Sequence, residues 1–143
     1  MDELIYYFVG DNELLELINS YSGDTMNDES ILKATDEWGN DMKSITFWDT
    51  TKVTTMKEMF YNKNNFNELL LWNTENVYNM SYMFSGASSF NQPLEFNTKN
   101  VTTMYCMFYD ASSFNQPLEF NTDNVTDMCG MFMGAYKFNQ DIG

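Results

Sequence analysis

The sequence predicts an α/β repeat solenoid, a stack of four 24-residue units that each contain a short helix and a strand, behind an N-terminal helical cap. Three observations lead to this fold class. Hydrophobic residues recur at a constant step along the chain, each unit joins a helix-like apolar spacing to a period-two run, and the charge balance changes near residue 43. A chain of 143 residues suits one such array.

Columns of identical residues set the length of the unit. The best kept are Val53, Val77, Val101 and Val125; Met56, Met80, Met104 and Met128; Met59, Met83, Met107 and Met131; and Phe66, Phe90, Phe114 and Phe138. One unit cannot bury its own apolar edge, so like units are expected to stack and turn each column into a core ladder. The methionine columns are therefore interpreted as core packing, with a soft binding face or a copper site as the alternatives.

The third unit illustrates the predicted elements. Its apolar residues fall at i, i+3, i+6 and i+7, a helical spacing, at Val101, Met104, Met107 and Phe108. Thr98 or Asn100 is the expected helix N-cap. Leu118 and Phe120 then alternate with a glutamate, which predicts a strand over 114–120 that Pro117 weakens in its first half.

The charge distribution separates a cap from the array. Residues 1–42 carry eleven acidic groups and one lysine, a net of −10 out of −14 for the whole chain. We expect a cap over 1–46 and an array over 47–143, divided into 47–70, 71–94, 95–118 and 119–143. The cap contains two predicted helices, Asp11 to Asn19 and Asp28 to Trp38, and the second turns Ile31, Leu32 and Trp38 inward. The acidic cap surface indicates solubility and edge protection, or a docking site for a basic partner.

The composition argues against most catalytic and several binding functions. Without histidine or arginine there is no imidazole base and no guanidinium fork for phosphate. The net charge of −14 disfavours nucleic acid and anionic membranes, and no run of 18 apolar residues predicts a membrane span. We therefore expect no enzyme activity, no cofactor and no metal. Capping turns are preferred over calcium loops at Asp49, Asn73, Asn97 and Asn121.

The string NVTTMYCMFYDASSFNQPLEFNT, residues 100–122, resembles the short repeat of BspA-type leucine-rich-repeat surface proteins, in the variant common in mollicute lipoproteins. The resemblance covers residues 47–143 and extends to a helix over Glu29 to Trp38 before the first unit. It implies a right-handed, leucine-rich-repeat-like solenoid used for adhesion or protein contact, without catalytic residues. The start of the chain lacks a secretory signal or lipobox pattern. The compartment stays open between a cell surface or virion, an intracellular location and a trimmed chain.

Three functions follow as hypotheses. The first is a protein-interaction or adhesin-like module, the second a structural element that associates end to end, and the third a carbohydrate-binding surface. The candidate partner-binding residues are Tyr61, Tyr82, Tyr105, Tyr109, Gln92, Glu95, Gln116 and Glu119. The candidate self-association edge is Phe138, Asn139, Gln140 and Ile142. Cys106 and Cys129 are expected to be free thiols, because units are predicted to lie far apart on the helical side.

Overall fold

The computed structural model describes residues 25–36 and 45–142. These residues form one helix, α1 (Asp28–Asp36), and four isolated parallel bridges, and the rest of their backbone is turns and extended chain. Each bridge joins two residues that are one repeat unit apart: Thr25 with Asp49, Thr55 with Asn79, Asn79 with Thr103, and Thr103 with Asp127. The sequence period is therefore the register in which the units stack.

The predicted α/β repeat solenoid is wrong. Within the described residues no repeat unit contains a helix or a strand, and no sheet forms. The segment predicted to be helical at Val101 to Phe108 contains a bridge residue, Thr103, and a series of turns. We call the corresponding ranges, 54–62, 78–86, 102–110 and 126–134, the bridge segments.

Left-handed residues explain why the bridge segments do not become helices. Met59 N–H donates to Met56 O at 3.3 Å, and the third residue of that turn, Glu58, has a φ of 59°. A positive φ at this position belongs to a type II turn and breaks an α-helix. Each bridge segment contains two such residues, spaced by four positions: Glu58, Asn62, Tyr82, Gly86, Cys106, Asp110, Gly130 and Gly134. The apolar residues at i, i+3, i+6 and i+7 are therefore buried by consecutive turns and not by one face of a helix.

The bridge segments are joined by backbone hydrogen bonds between units. In the bridge segments of units one to three, every second N–H from the third residue onward donates to a carbonyl of the following unit, as in Tyr82 to Tyr105 at 2.9 Å and Phe84 to Met107 at 2.9 Å. The intervening N–H groups close turns within their own unit, as Ser85 does to Tyr82 O at 3.1 Å. Along a bridge segment, successive N–H groups thus bond in turn to a group of the same unit and to a carbonyl of the neighbouring unit. None of them bonds to the carbonyl four residues earlier, as in an α-helix.

The predicted strand over 114–120 is also wrong. This range belongs to the extended segments, which we define as 66–73, 90–97, 114–121 and 138–142. Side chains link these segments: Asn115 N–H donates to Asn91 Oδ1 at 2.9 Å, and Gln116 Nε2 donates to Asn91 O at 3.2 Å. Pro117 has no N–H to place in a ladder, and an amide side chain supplies the link between units instead.

The aromatic and methionine columns form the core as predicted. Phe84 stacks between Phe60 and Phe108, with ring centroids 5.6 and 5.5 Å away, and Phe132 continues the column at 5.6 Å from Phe108. A second phenylalanine column runs parallel to it, through Phe66, Phe90, Phe114 and Phe138. The methionine columns are buried except at Met128, which is 46% exposed.

Helix α1 packs against the first unit. Asn27 caps it, because its Oδ1 accepts the N–H groups of Glu29 and Ser30 at 3.1 and 2.9 Å. Ile31 is fully buried as predicted, whereas Leu32 is 45% exposed and its inward placement is wrong. The predicted helix Asp11 to Asn19 and the inward Trp38 lie outside the described residues.

Asp28 attaches α1 to the array. Its carboxylate accepts the N–H of Thr54 at 2.6 Å, the hydroxyl of Thr54 at 2.7 Å and the N–H of Thr55 at 3.2 Å. Burial raises the pKa of Asp28, but these three hydrogen bonds outweigh it and the net pKa lies below the ordinary value of 3.8. One helix side chain therefore satisfies the backbone donors at the start of the first bridge segment.

Candidate functional site

The Asp and Asn residues at the unit boundaries form capping turns. Asn73 Oδ1 accepts Glu75 N–H at 2.9 Å, and Asn97 Oδ1 accepts Lys99 N–H at 3.1 Å. Asp49 and Asn121 make the same contact two residues ahead. This agrees with the predicted capping turns and uses the oxygens that a calcium loop would need. Across 25–36 and 45–142, no cluster of three or more His, Cys, Asp or Glu residues is arranged to hold a metal ion.

A groove lies on the face formed by two of the extended segments, 90–97 and 114–121. Its volume is about 530 Å³. Two prolines and two glutamates line it in matched positions, together with two apolar side chains: Pro93, Leu94, Glu95, Phe96, Pro117 and Glu119. Pro93, Glu95, Pro117 and Glu119 are exposed, while Leu94 and Phe96 are buried beneath them. The groove therefore has an apolar floor and a rim that carries two carboxylates.

The predicted partner-binding glutamates line this groove, but the glutamines have another role. Gln92 Nε2 donates to Asn67 O at 3.2 Å, and Gln116 Nε2 makes the equivalent bond to Asn91 O at 3.2 Å. These amide donors hold neighbouring units together. Sequence reasoning missed Pro93 and Pro117 as part of the site, although the repeated Pro-Leu-Glu string marks them at matching positions.

The charge on this face has one sign. The five lysines within 45–142 all lie outside the extended segments: Lys52, Lys57, Lys63, Lys99 and Lys137. The extended segments contain four acidic residues, Glu68, Glu95, Glu119 and Asp141. A negative potential over the groove follows from this separation.

The predicted tyrosines form a separate row on the bridge segments and do not line the groove. Tyr82 packs edge-on against both Tyr61 and Tyr105, with ring centroids 6.1 and 5.2 Å apart. A hydrogen bond with the Tyr82 hydroxyl raises the pKa of Tyr105 to about 12. Tyr61 is exposed, whereas Tyr82, Tyr105 and Tyr109 are half-buried. The row is thus an aromatic surface on which neighbouring rings already contact one another.

The predicted self-association residues are partly used inside the stack. Phe138 stacks on Phe114 with ring centroids 5.9 Å apart, and Asn139 N–H donates to Asn115 Oδ1 at 2.9 Å. Gln140 Nε2 also donates to Asn115 Oδ1, at 2.9 Å. Ile142 is 65% exposed and lines a second groove of about 130 Å³. Met128 and Met133 are exposed apolar side chains on this unit that the sequence reasoning missed.

Cys106 and Cys129 are free thiols, as predicted, with Cys106 buried and Cys129 exposed. The geometric reason given for that prediction is wrong, because the bridge segments that carry them are joined by backbone hydrogen bonds and contain no helix. Burial raises the pKa of the Cys106 thiol, a hydrogen bond with Tyr105 lowers it, and the nearby Cys129 and Asp127 raise it further.

Together these features define a protein of stacked, turn-rich 24-residue units with a helix packed against the first unit. Residues 29–143 match the family described as "Mycoplasma protein of unknown function, DUF285", and the chain belongs to that family. No curated protein and no solved structure matches the chain. In residues 25–36 and 45–142, no helix has the length and apolar character to cross a bilayer.

Proposed function

We propose that this protein is a protein-interaction module that binds a basic, extended segment of a partner in the groove between the extended segments 90–97 and 114–121. The observation that carries the proposal is the groove lined by Pro93, Pro117, Glu95 and Glu119. The resemblance of the repeat to BspA-type surface proteins supports a contact role of this kind. We infer that the protein is not an enzyme. The groove presents an apolar surface and two carboxylates, which suit binding of a partner.

Two physical properties suit the groove to such a partner. The pyrrolidine rings of Pro93 and Pro117 are rigid, so little conformational entropy is lost when a peptide packs on them. Glu95 and Glu119 recur one unit apart and attract lysine or arginine side chains at the rim. Apolar contact on the floor would supply affinity, while the carboxylates would select the charge of the partner.

Fluorescence anisotropy with defined peptides tests the proposal. The probe is a short labelled peptide of alternating lysine and alanine, and its counterpart carries glutamate in place of lysine. We expect binding of the lysine peptide only. The double variant Glu95→Gln/Glu119→Gln should weaken it by about 3- to 10-fold, since each rim charge contributes under about 1 kcal/mol.

A matched variant separates site binding from general attraction to an acidic protein. Glu75→Gln/Asp123→Asn removes the same charge from exposed capping turns away from the groove, and it should leave the dissociation constant within about twofold. Equal weakening by both double variants would contradict the proposed site. So would unchanged binding by Pro93→Ala/Pro117→Ala, since the rings are proposed to form the contact surface.

Self-association through unit four is a second candidate, favoured by the exposed apolar side chains Met128, Met133 and Ile142. These side chains lie on the unit whose bridge-segment donors Gly130 and Phe132 have no backbone acceptor among the described residues. Sedimentation velocity across a range of concentrations tests it. We expect oligomers that Met133→Lys dissociates, and a monomer at the highest concentration would exclude this candidate.

A further inference from the structure

Cys106 and Cys129 occupy adjoining positions on units three and four. Cys106 N–H donates to Cys129 O at 2.9 Å, as one of the backbone bonds that join the two bridge segments. By standard bond lengths, residues joined in this way have Cα atoms roughly 5–6 Å apart. Disulfides bridge Cα atoms about 4.4–6.8 Å apart, so the backbone spacing suits a covalent link.

The equivalent pair one unit earlier shows where side chains at these positions point. Tyr82 and Tyr105 stand at the positions of Cys106 and Cys129 in the preceding units, and Tyr82 N–H donates to Tyr105 O at 2.9 Å, the same bond at the same length. The two tyrosine rings touch, with centroids 5.2 Å apart. Because the units share one register, we expect the two cysteine side chains to leave the backbone toward the same side of the stack.

The surroundings of Cys106 place its sulfur beside unit four. A Cβ atom added at Gly130 would lie 2.9 Å from Cys106 Sγ, so the sulfur rests against the residue that follows Cys129. The proximity of Cys129 also contributes to the raised pKa of Cys106, after the larger effect of burial. One thiol is exposed to small oxidants and the other is shielded next to it.

We propose that Cys106 and Cys129 form a redox-sensitive disulfide that covalently joins units three and four. Oxidised glutathione is a sufficient oxidant. The exposed Cys129 thiolate attacks one glutathione sulfur and releases one glutathione; Cys106 then attacks Cys129 Sγ and releases the second. The two thiol hydrogens leave on the two glutathione molecules, and one disulfide bond is exchanged for another.

The link would stabilise the stack between these units. It closes a loop about one repeat unit long and holds neighbouring backbone bonds such as Phe108 to Met131 at 2.9 Å and Asp110 to Met133 at 2.8 Å. Opening of unit four away from unit three would then require reduction. The expected consequence is a rise in melting temperature of roughly 5–10 °C in the oxidised protein, reversed by dithiothreitol.

Intact-protein mass spectrometry after incubation with oxidised glutathione tests the proposal on the wild-type chain. We expect a product that has lost two hydrogen atoms. No lysine or arginine lies between the two cysteines, so cleavage at aspartate is used, and it should give a peptide pair joined through Cys106 and Cys129. Either single variant, Cys106→Ser or Cys129→Ser, should instead yield only a glutathione adduct. A wild-type product that keeps glutathione on Cys129 and a free Cys106 thiol would overturn the proposal.

Two further variants test the geometry itself. Cys129→Ser/Met133→Cys moves the exposed thiol further along the same segment, so it keeps two cysteines and should not cross-link within one chain. Tyr82→Cys/Tyr105→Cys in a Cys106→Ser/Cys129→Ser background should cross-link, because it transfers the pair to units two and three. Cross-linking of the displaced pair as fast as the native pair, or cross-links only between chains, would also contradict the proposal.

Discussion

Single side chains complete the hydrogen bonding of a backbone that has few regular elements. Asp28 accepts three hydrogen bonds from Thr54 and Thr55, and Asn91 accepts the backbone N–H of Asn115. Among the described residues no buried side-chain nitrogen or oxygen is left without a partner. Short polar side chains therefore replace the ladders that helices and strands would supply.

Replacement of Asp28 should weaken the contact between α1 and the first unit. Asp28→Asn keeps one acceptor oxygen but loses the charge that strengthens all three hydrogen bonds. We expect a loss of about 1–3 kcal/mol in the free energy of unfolding, measured by urea denaturation. Glu29→Gln removes a charge from the exposed neighbour and should cost under about 1 kcal/mol. Equal effects of the two variants would contradict the role given to Asp28.

The same contact should depend on pH. The folded-state pKa of Asp28 lies below the ordinary 3.8, so its contribution is complete above that value and is lost as the pH falls through the folded pKa. The stability difference between the wild type and Asp28→Asn should therefore be largest near neutrality and shrink as the pH falls below 3.8. Urea denaturation of both proteins across this range checks it. A difference that grows on acidification would be inconsistent with the bonding pattern.

At the scale of elements, each unit is joined to its neighbours by two kinds of hydrogen bond, one on the bridge segment and the other on the extended segment. Bridge segments use backbone donors, while extended segments use asparagine and glutamine side chains. The second arrangement leaves the extended backbone free of neighbouring strands and makes room for the groove rimmed by Pro93 and Pro117. The extended segments, which are not paired by backbone hydrogen bonds in a sheet, thus carry the candidate site.

The asparagine link can be tested by a pair of matched substitutions. Asn91→Ala removes the acceptor of Asn115 N–H at 2.9 Å and of Gln116 Nε2 at 3.2 Å, so we expect a loss of about 1–2 kcal/mol in unfolding free energy. Asn65→Ala changes an exposed turn residue and should stay within about 0.5 kcal/mol. Chemical denaturation of both variants checks this, and similar losses would show that the link is dispensable.

At the scale of the whole molecule, each unit contacts its neighbours along one axis. The phenylalanine column illustrates this, since Phe84 stacks on a ring in the unit before and on one in the unit after, while Phe132 stacks on Phe108 alone within its column. Stability in such a stack is close to a sum of unit and neighbour contributions. Position along the stack should therefore decide the cost of one and the same substitution.

Phenylalanine truncation at two positions of this column tests that expectation. Phe84→Ala should cost about 3–5 kcal/mol, because it empties a fully buried site between two stacked rings. Phe132→Ala removes a half-buried ring with a single column neighbour and should cost about half as much. Thermal and urea unfolding give both values. Equal costs would contradict a stability summed over neighbours.

Much of the packing could be predicted from the sequence, but the backbone conformation could not. The period correctly placed Phe60, Phe84 and Phe108 in one column, because identical residues at a fixed step face identical neighbours in a stack. Helical spacing did not reveal the left-handed φ at Tyr82 and Cys106, residues that rarely adopt it. Asn62, Gly86 and Asp110, at the same place in successive units, were the available signal.

The site was predictable to a similar extent. Glu95 and Glu119 were placed on an exposed face from their alternation with buried residues, and both line the groove. Gln92 and Gln116 looked equally exposed in the sequence, yet their amides bond to the preceding unit. Sequence periodicity cannot distinguish a side chain that faces solvent from one that lies along the surface to reach its neighbour.

The sequence by itself determined the repeat register, the core columns and the uneven charge, since hydrophobic periodicity decides which residues are buried together. Only the tertiary structure decided where the backbone donors go. The N–H groups of Tyr82 and Phe84 reach the next unit instead of an earlier turn of a helix, a choice that depends on the neighbour being in place. That choice also brings Cys106 beside Cys129 and leaves the extended face open for a groove.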